Sequence, residues 1–336
     1  MASSSPTPTE DRDALSIPAS LLYRLGLPIT IGALCVYSPA TALFAPIVAA
    51  PSAFLLSRRS SQPPAERPGK LETLIWTFLS AATLAPAASM LAQGVLSYGS
   101  ALLVFGDKTK DYITEFSRSA DDVRSLPPEI ISKRRAMAHS LPYLAYLVFF
   151  SFSLAGLPEE ACKYAILRYI QRQHDQPGEK RLTAREYILY ATTIGLGFSF
   201  FENLGFIYAA AASDTRNMLL VTAAERILYG TAAHVLTAVL TGARMARGAK
   251  RTDTKGSERG APIGWFRTII PSMLYHGAGD AALLAACALD GHPGWVHPDS
   301  LWPFLKYVIA PVTLMTGLGV QVGSELQGLG IRWFGL

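Results

Sequence analysis

Hydrophobic and polar positions along this chain fall into long blocks, not short alternations. Apolar runs cover Leu21–Leu56, Leu74–Phe105, Leu141–Ile170, Tyr187–Ala211, Met218–Ala243, Trp265–Leu289 and Phe304–Val322. Each is close to or above the roughly 20 residues an α-helix needs to cross bilayer hydrocarbon. Backbone groups in lipid must be satisfied within their own segment, so the runs predict helices. The expected fold class is all-α, a polytopic transmembrane helical bundle of seven or eight spans. Leu21–Leu56 is too long for one span, and Pro39 after Ser38 divides it into a tight helical hairpin. Pro86 should kink the second block.

The polar segments complete this division. Met1–Ser16 is Ser/Pro-rich and acidic and lacks a basic region ahead of a short apolar core. It reads as a disordered tail and not as a cleaved signal peptide. Asp107–Arg135 mixes seven Lys/Arg with six Asp/Glu and reads as an interfacial helix followed by a Leu-Pro-Pro break. Residues 17–140 then form an N-terminal scaffold with its connection, 141–289 a four-helix core, and 290–336 the last loop and span. No internal repeat is evident.

Composition agrees with a membrane protein. Half of the 336 residues are hydrophobic and 16% are charged, against about 25% charged in a soluble domain. The net charge of +5 lies mainly in loops. Arg58, Arg59, Arg67 and Lys70, then Arg172, Lys180, Arg181 and Arg185, then the linker-like Arg244–Arg259, place their loops on the cytosolic side. Residues 212–217 and 290–300 fall on the far side. No aromatic residues interleave with these charges, so the expected partners are membrane lipid and a membrane-protein substrate, and no nucleic acid. The Ser/Pro tail and long basic loops suggest a eukaryotic endomembrane. Cys35, Cys162 and Cys287 all sit in apolar runs, which excludes a disulfide framework and a CxxC zinc site.

Charges inside the spans are expensive and mark function. The first two blocks carry only Arg24, near one end, and the last only Lys306, close enough to its end to snorkel. The middle spans hold the rest: Glu159, Glu160 and Lys163; Glu202 beside Asn203; Glu225, Arg226 and His234; His276 and Asp280. At 1.5 Å per residue, Glu159, Glu202, His234, His276 and Asp280 each fall within about 6 Å of the middle of their spans. One shared site satisfies them all. Glu159 and Lys163 are spaced i,i+4 and can pair, as are His276 and Asp280; Arg226 and His234 lie two turns apart. Each pair alone could be an interfacial or structural contact, and Glu225 and Arg226 near a helix start make the weakest case. Four such accidents at one depth are harder to accept.

The chemistry narrows by elimination. There is no HExxH and no GxSxG. Gly277-Ala-Gly279-Asp280 matches the GxGD of presenilin-type aspartyl proteases, but no second intramembrane Asp is present to share a proton. What remains is a carboxylate-and-imidazole set. It suits either a divalent metal such as zinc, with Glu160, His234 and His276 as candidate ligands, or a buried glutamate acting as general base to water. Asn203 could donate to an oxyanion, and Lys163 could hold a glutamate charged.

Glu159-Glu160-Ala-Cys-Lys163 resembles the EExxK motif of the PrsW family of intramembrane proteases, relatives of the CAAX prenyl endopeptidases and bacteriocin-processing enzymes. Gly197-Phe-Ser-Phe-Phe-Glu202-Asn203 is similar to that family's second motif, and His234 and His276-Gly-Ala-Gly-Asp280 to its third and fourth. The resemblance covers about 140–280, with all motifs in order on separate spans. It implies an intramembrane endopeptidase, glutamate- or metal-dependent. Glu159 and Glu160 would be the water-activating pair, with Glu202, His234 and His276 as ligands or polarising groups. Bacterial members cleave membrane-bound regulators. Two other readings use the same residues: a proton- or cation-coupled transporter, and a catalytically silent homologue that binds a membrane partner. Transporters usually repeat their broken helices in both halves, whereas these polar residues occupy a single block.

Overall fold

The computed structural model describes residues 13–212, 216–254, 264–296 and 301–332. The expected disordered tail lies outside the described residues up to residue 12. Also outside are the tip of the 212–217 turn at 213–215, residues 255–263 of the basic linker, residues 297–300, and the side chain of Lys306. Among the described residues every regular element is helical.

The first block forms α1 (Ile17–Tyr37), a single turn α2 (Pro39–Ala42) and α3 (Ala45–Ser60). Ser38 breaks the run at φ −156°, ψ 83°, because a residue before proline is pushed out of the helical region. The second block divides into α4 (Leu71–Ala82) and α5 (Leu84–Phe105). The interruption at Thr83 follows from Pro86, which has no N–H for the Ala82 carbonyl four residues back. The polar connection makes three short helices where one was expected: α6 (Thr109–Phe116), α7 (Ala120–Arg124) and α8 (Pro128–Ala138). Leu126-Pro127 separates the last two.

The core comes next in the chain. A run of 34 residues comprises α9 (Leu141–Phe149), a π-helical stretch Phe150–Gly156 and α10 (Leu157–His174). Pro158 accounts for the π stretch: lacking an amide proton, it cannot bond the Leu154 carbonyl, and the turn widens ahead of it. Beyond it lie α11 (Ala184–Ala211), α12 (Arg216–Glu225), a second π stretch Arg226–Gly230, α13 (Thr231–Thr254), α14 (Trp265–Leu289) and α15 (Leu301–Gly328). The linker expected from Arg244 onward is helical as far as Thr254. Arg247 holds it to Glu325 at 2.8 Å, and Arg244 donates to the Thr268 carbonyl at 3.2 Å.

Six stretches of the described residues are long and apolar enough to cross a membrane. The run α12–α13 and helix α14 are long too, but they carry Arg226, His234, His276 and Asp280. With these two the crossings number eight among the described residues, within the seven or eight expected of a multi-pass bundle. The 58–70 and 171–186 loops, assigned to one side by charge, also pack together. Gly69 N–H donates to Glu186 at 3.3 Å at one end of the bundle. At the other end Arg134 donates to the Pro293 carbonyl and Gly294 N–H to Tyr143 Oη at 2.8 Å. At the first of these ends Asp13 pairs with Arg59 and Arg67. Burial alone would raise its carboxyl, but the two guanidiniums outweigh that and hold it below the usual carboxylate range.

Helix α11 is the centre of the bundle. It packs against α4 and α10 on one flank and α13 on the other, around Leu74, Leu167, Ile188, Tyr190, Ile194 and Leu240. A Thr183–Glu186 capping box starts it. Two glycines let neighbours approach to backbone contact. A Cβ at Gly195 would lie 2.6 Å from Val235 Cα and 2.7 Å from the His234 carbonyl, and one at Gly197 would lie 2.6 Å from the Phe78 carbonyl. Small residues at such crossings are the usual way membrane helices gain contact. Gly195→Ala is therefore expected to lower the unfolding temperature in detergent, with a loss of about 1–3 kcal/mol. Gly205→Ala on the exposed face of the same helix, where a Cβ meets nothing within 4 Å, should be silent. Equal stability of the two variants would contradict the close α11–α13 packing.

Candidate active site

Helices α10, α11, α13 and α14 bring their polar residues to one place. Pro158 and the π stretch set the phase of α10 so that Glu159, Glu160 and Lys163 all face inward, with 6%, 0% and 1% of their surfaces exposed. Lys163 Nζ donates to Glu160 Oε1 at 2.6 Å and lies 3.0 Å from His234 Nδ1. His276 Nδ1 donates to the same Glu160 oxygen at 2.9 Å. On α11, Glu202 Oε2 accepts from Arg226 Nη2 at 2.6 Å and from His234 Nε2 at 2.8 Å. The imidazoles of His234 and His276 meet edge to face, 5.6 Å between centroids. His276 Nε2 lies 3.5 Å from Glu159 Oε2 and 3.6 Å from Asp280 Oδ2. All nine candidate residues thus belong to one connected set.

Several partnerships differ from those the spacing suggested. Lys163 pairs with Glu160 (i,i+3) instead of Glu159 (i,i+4), because Glu160 turns toward α13 and α14 while Glu159 turns toward α5. There Gln93 Nε2 donates to Glu159 Oε1 at 3.0 Å. Gln93 carries no charge to set it apart; the single amide in the apolar run of α5 was the available signal. Asn203 does not face the cavity. It is fully buried, gives Nδ2 to Thr231 Oγ1 at 2.9 Å and accepts from Arg226 Nε at 3.3 Å. Its amide braces the second π stretch and is not available to an oxyanion.

The set lines a cavity of about 320 Å³ whose wall includes Glu159, Glu202, Tyr229, His234, His276 and Asp280. Leu314, Met315 and Leu318 of α15 close its apolar side. Two glycines of α14 set the packing beside it, and Gly279 is part of its wall. A Cβ at Gly277 would lie 2.6 Å from the Phe152 ring, and one at Gly279 would lie 2.9 Å from Tyr229 Oη. The Gly-Ala-Gly-Asp run is thus a packing device here, admitting an aromatic side chain at each glycine.

A family model described as PrsW family intramembrane metalloprotease matches residues 131–314, more than half of the chain and all of these motifs. The chain belongs to the PrsW family. No curated protein and no solved structure matches it. As a PrsW protein it is an intramembrane peptidase of a metalloprotease family, acting on protein substrates at a membrane. Gln93 and residues beyond Leu314 on α15 lie outside the matched segment, yet both contribute to the cavity wall.

The PrsW residues accommodate a metal ion. One donor atom each from Glu159, His234 and His276 lies within 4.8 Å of the others. The 3.5 Å between His276 Nε2 and Glu159 Oε2 is near the edge of a tetrahedron with ligand bonds of about 2.1 Å. Glu159 Oε2 is buried and has no hydrogen-bond partner. The connected set also holds four carboxylates, Glu159, Glu160, Glu202 and Asp280, against two fixed cations, Lys163 and Arg226. A dication would neutralise that surplus where burial makes it costly. Glu160, expected as a ligand, lies behind His276 instead. Ligation through His234 Nε2 would replace its hydrogen bond to Glu202, and with the ring proton on Nδ1 Lys163 would give up its contact there and keep Glu160.

Both members of the Lys163–Glu160 pair are buried, so removing either one strands the other's charge. Glu160→Gln leaves the ammonium without its carboxylate and should cost about 3–5 kcal/mol in detergent unfolding. Adding Lys163→Met should recover much of that loss. A single variant as stable as wild type would show that the pair is not required.

Proposed function

We propose that this PrsW protein is an endopeptidase that hydrolyses a peptide bond of a membrane-associated protein, with water activated among these glutamates and histidines. The observation that carries the reading is the convergence of Glu159, His234 and His276 on the wall of a cavity within the bundle. Those three would hold the metal. A divalent ion there supplies Lewis acidity to the scissile carbonyl and acidifies water.

The other residues have separable tasks. Glu160 accepts the Nδ1 proton of His276, which leaves Nε2 unprotonated toward the cavity, the arrangement in which a carboxylate orients a ligand imidazole. Gln93 fixes one oxygen of Glu159 and leaves the other directed into the site. In this reading Glu202 is the proton acceptor, in place of the Glu159–Glu160 pair that the family resemblance implied. Arg226 pairs with it at 2.6 Å, it adjoins His234 Nε2 at 2.8 Å, and it stands outside the donor set. It takes a proton from water as the oxygen adds to the carbonyl carbon and returns it to the leaving nitrogen as the C–N bond breaks. The apolar wall that α15 gives the cavity suits an apolar stretch of substrate. The basic loops favour a cytosolic orientation for one end of the bundle, and the Ser/Pro-rich N-terminus favours a eukaryotic endomembrane.

Two variants separate these tasks. Glu159→Gln should lose both bound metal and cleavage of a membrane substrate, measured by elemental analysis and by proteolysis in micelles. Glu202→Gln should keep its metal and lose about 10²–10⁴-fold in kcat. Metal loss in Glu202→Gln, or cleavage by a metal-free Glu159→Gln protein, would reverse the assignment.

A further inference from the structure

Peptide hydrolysis develops negative charge on the carbonyl oxygen, and a donor aimed at that oxygen is commonly the largest single contribution to rate. Asn203, the donor expected from the sequence, is committed elsewhere. We propose that Tyr229 is that donor: its hydroxyl hydrogen-bonds the oxyanion of the tetrahedral intermediate. The assignment rests on the hydrolytic reading above.

Four observations support it. Tyr229 lines the same cavity wall as Glu159, His234 and His276. Its hydroxyl makes no hydrogen bond among the described residues, so a donor stands uncommitted in the cavity. The hydroxyl occupies the place of the side chain that Gly279 lacks, 2.9 Å from where a Cβ would be. Gly279 is three residues after His276 on α14, so the two share a face about 5–6 Å apart. The phenol therefore sits one turn along from a metal-binding imidazole, at the scale of a bound peptide group.

The backbone carrying Tyr229 is fixed from both ends of its π stretch. Arg226 is held by Glu202 at 2.6 Å and by Asn203 at 3.3 Å, and Thr231 takes a hydrogen bond from Asn203 at 2.9 Å. Gly230 fits under the Asn203 amide, where a Cβ would come within 2.9 Å of Oδ1. Glu202-Asn203 thus sets the phenol's position as well as the proton acceptor's. A π turn at a functional site often serves to reaim side chains in this way. In the reaction the water oxygen bonds the carbonyl carbon, the carbonyl π pair moves to oxygen, and Tyr229 donates a hydrogen bond to it without transferring its proton. The pair returns when the C–N bond breaks.

The test is a double-variant cycle on the full chain in detergent, with fluorescein-labelled casein as substrate and Glu159→Gln as the blank. Cleavage by wild type that disappears in Glu159→Gln checks the hydrolytic reading separately. Tyr229→Phe should then lower kcat about 10²–10³-fold, with KM, metal content and unfolding temperature unchanged. Gly279→Ala should also reduce kcat, because its Cβ crowds the hydroxyl, but it should have little further effect in the Tyr229→Phe background. A second measurement needs no turnover: a phosphinic Leu-Leu peptide, which mimics the tetrahedral oxyanion, should bind Tyr229→Phe at least tenfold more weakly than wild type. Wild-type kcat and phosphinate affinity in Tyr229→Phe would overturn the proposal. So would a loss confined to KM or stability, which would make the tyrosine a packing residue.

Discussion

The architecture depends on one constraint: charges placed where neither water nor lipid headgroups can reach must find one another. Lys163 and Glu160, at 1% and 0% exposure and 2.6 Å apart, are the clearest instance. A buried pair of this kind adds little net stability compared with apolar packing, but breaking it is costly. Its value lies in arrangement. The ammonium reaches His234 on α13 while the carboxylate holds His276 on α14, so two imidazoles from different helices are set by one ion pair on a third. Arg226 does the same for the other wall, tying α11 to the second π stretch through Glu202 and Asn203.

The helices meet closely enough for this because their crossings are made of glycine. Gly195 admits the backbone of α13 beside His234, Gly277 admits Phe152, and Gly279 admits the Tyr229 hydroxyl. The irregular turns serve the same end. Each π stretch stands immediately ahead of a site helix: Phe150–Gly156 before Glu159, and Arg226–Gly230 before His234. An added residue in a turn rotates the helix on its C-terminal side relative to the helix on its N-terminal side. One face of the run can then pack in lipid and the other point its polar groups inward.

Much of this was legible in the sequence because hydrocarbon leaves few choices. Apolar blocks of bilayer length fixed the all-α class, and prolines marked the breaks at Ser38 and Thr83. The segregation of acids and histidines into four spans anticipated their convergence. Which partner each residue takes was less legible. Glu159 and Glu160 both lie within a turn of Lys163, and only the order of neighbouring helices decides that Glu160 receives the ammonium and Glu159 receives Gln93. Uncharged polar residues escaped for a related reason. Gln93 and Tyr229 carry no charge that stands out in an apolar run, so their place in the cavity wall appears only where the helices meet. Asn203 illustrates the reverse, since a rare amide beside a glutamate suggested a catalytic donor and proved to be a brace for the backbone.

The proposed chemistry needs Glu159, His234 and His276 to be a metal-binding set and not solely a hydrogen-bonded cluster. X-ray absorption at the edge of the divalent metal that copurifies with the protein tests this most directly. The expected spectrum is a tetrahedral nitrogen and oxygen shell near about 2.0–2.1 Å, with multiple scattering from two imidazoles that falls to one in His276→Ala. Protein that binds no metal, or a shell without imidazole scattering, would contradict it.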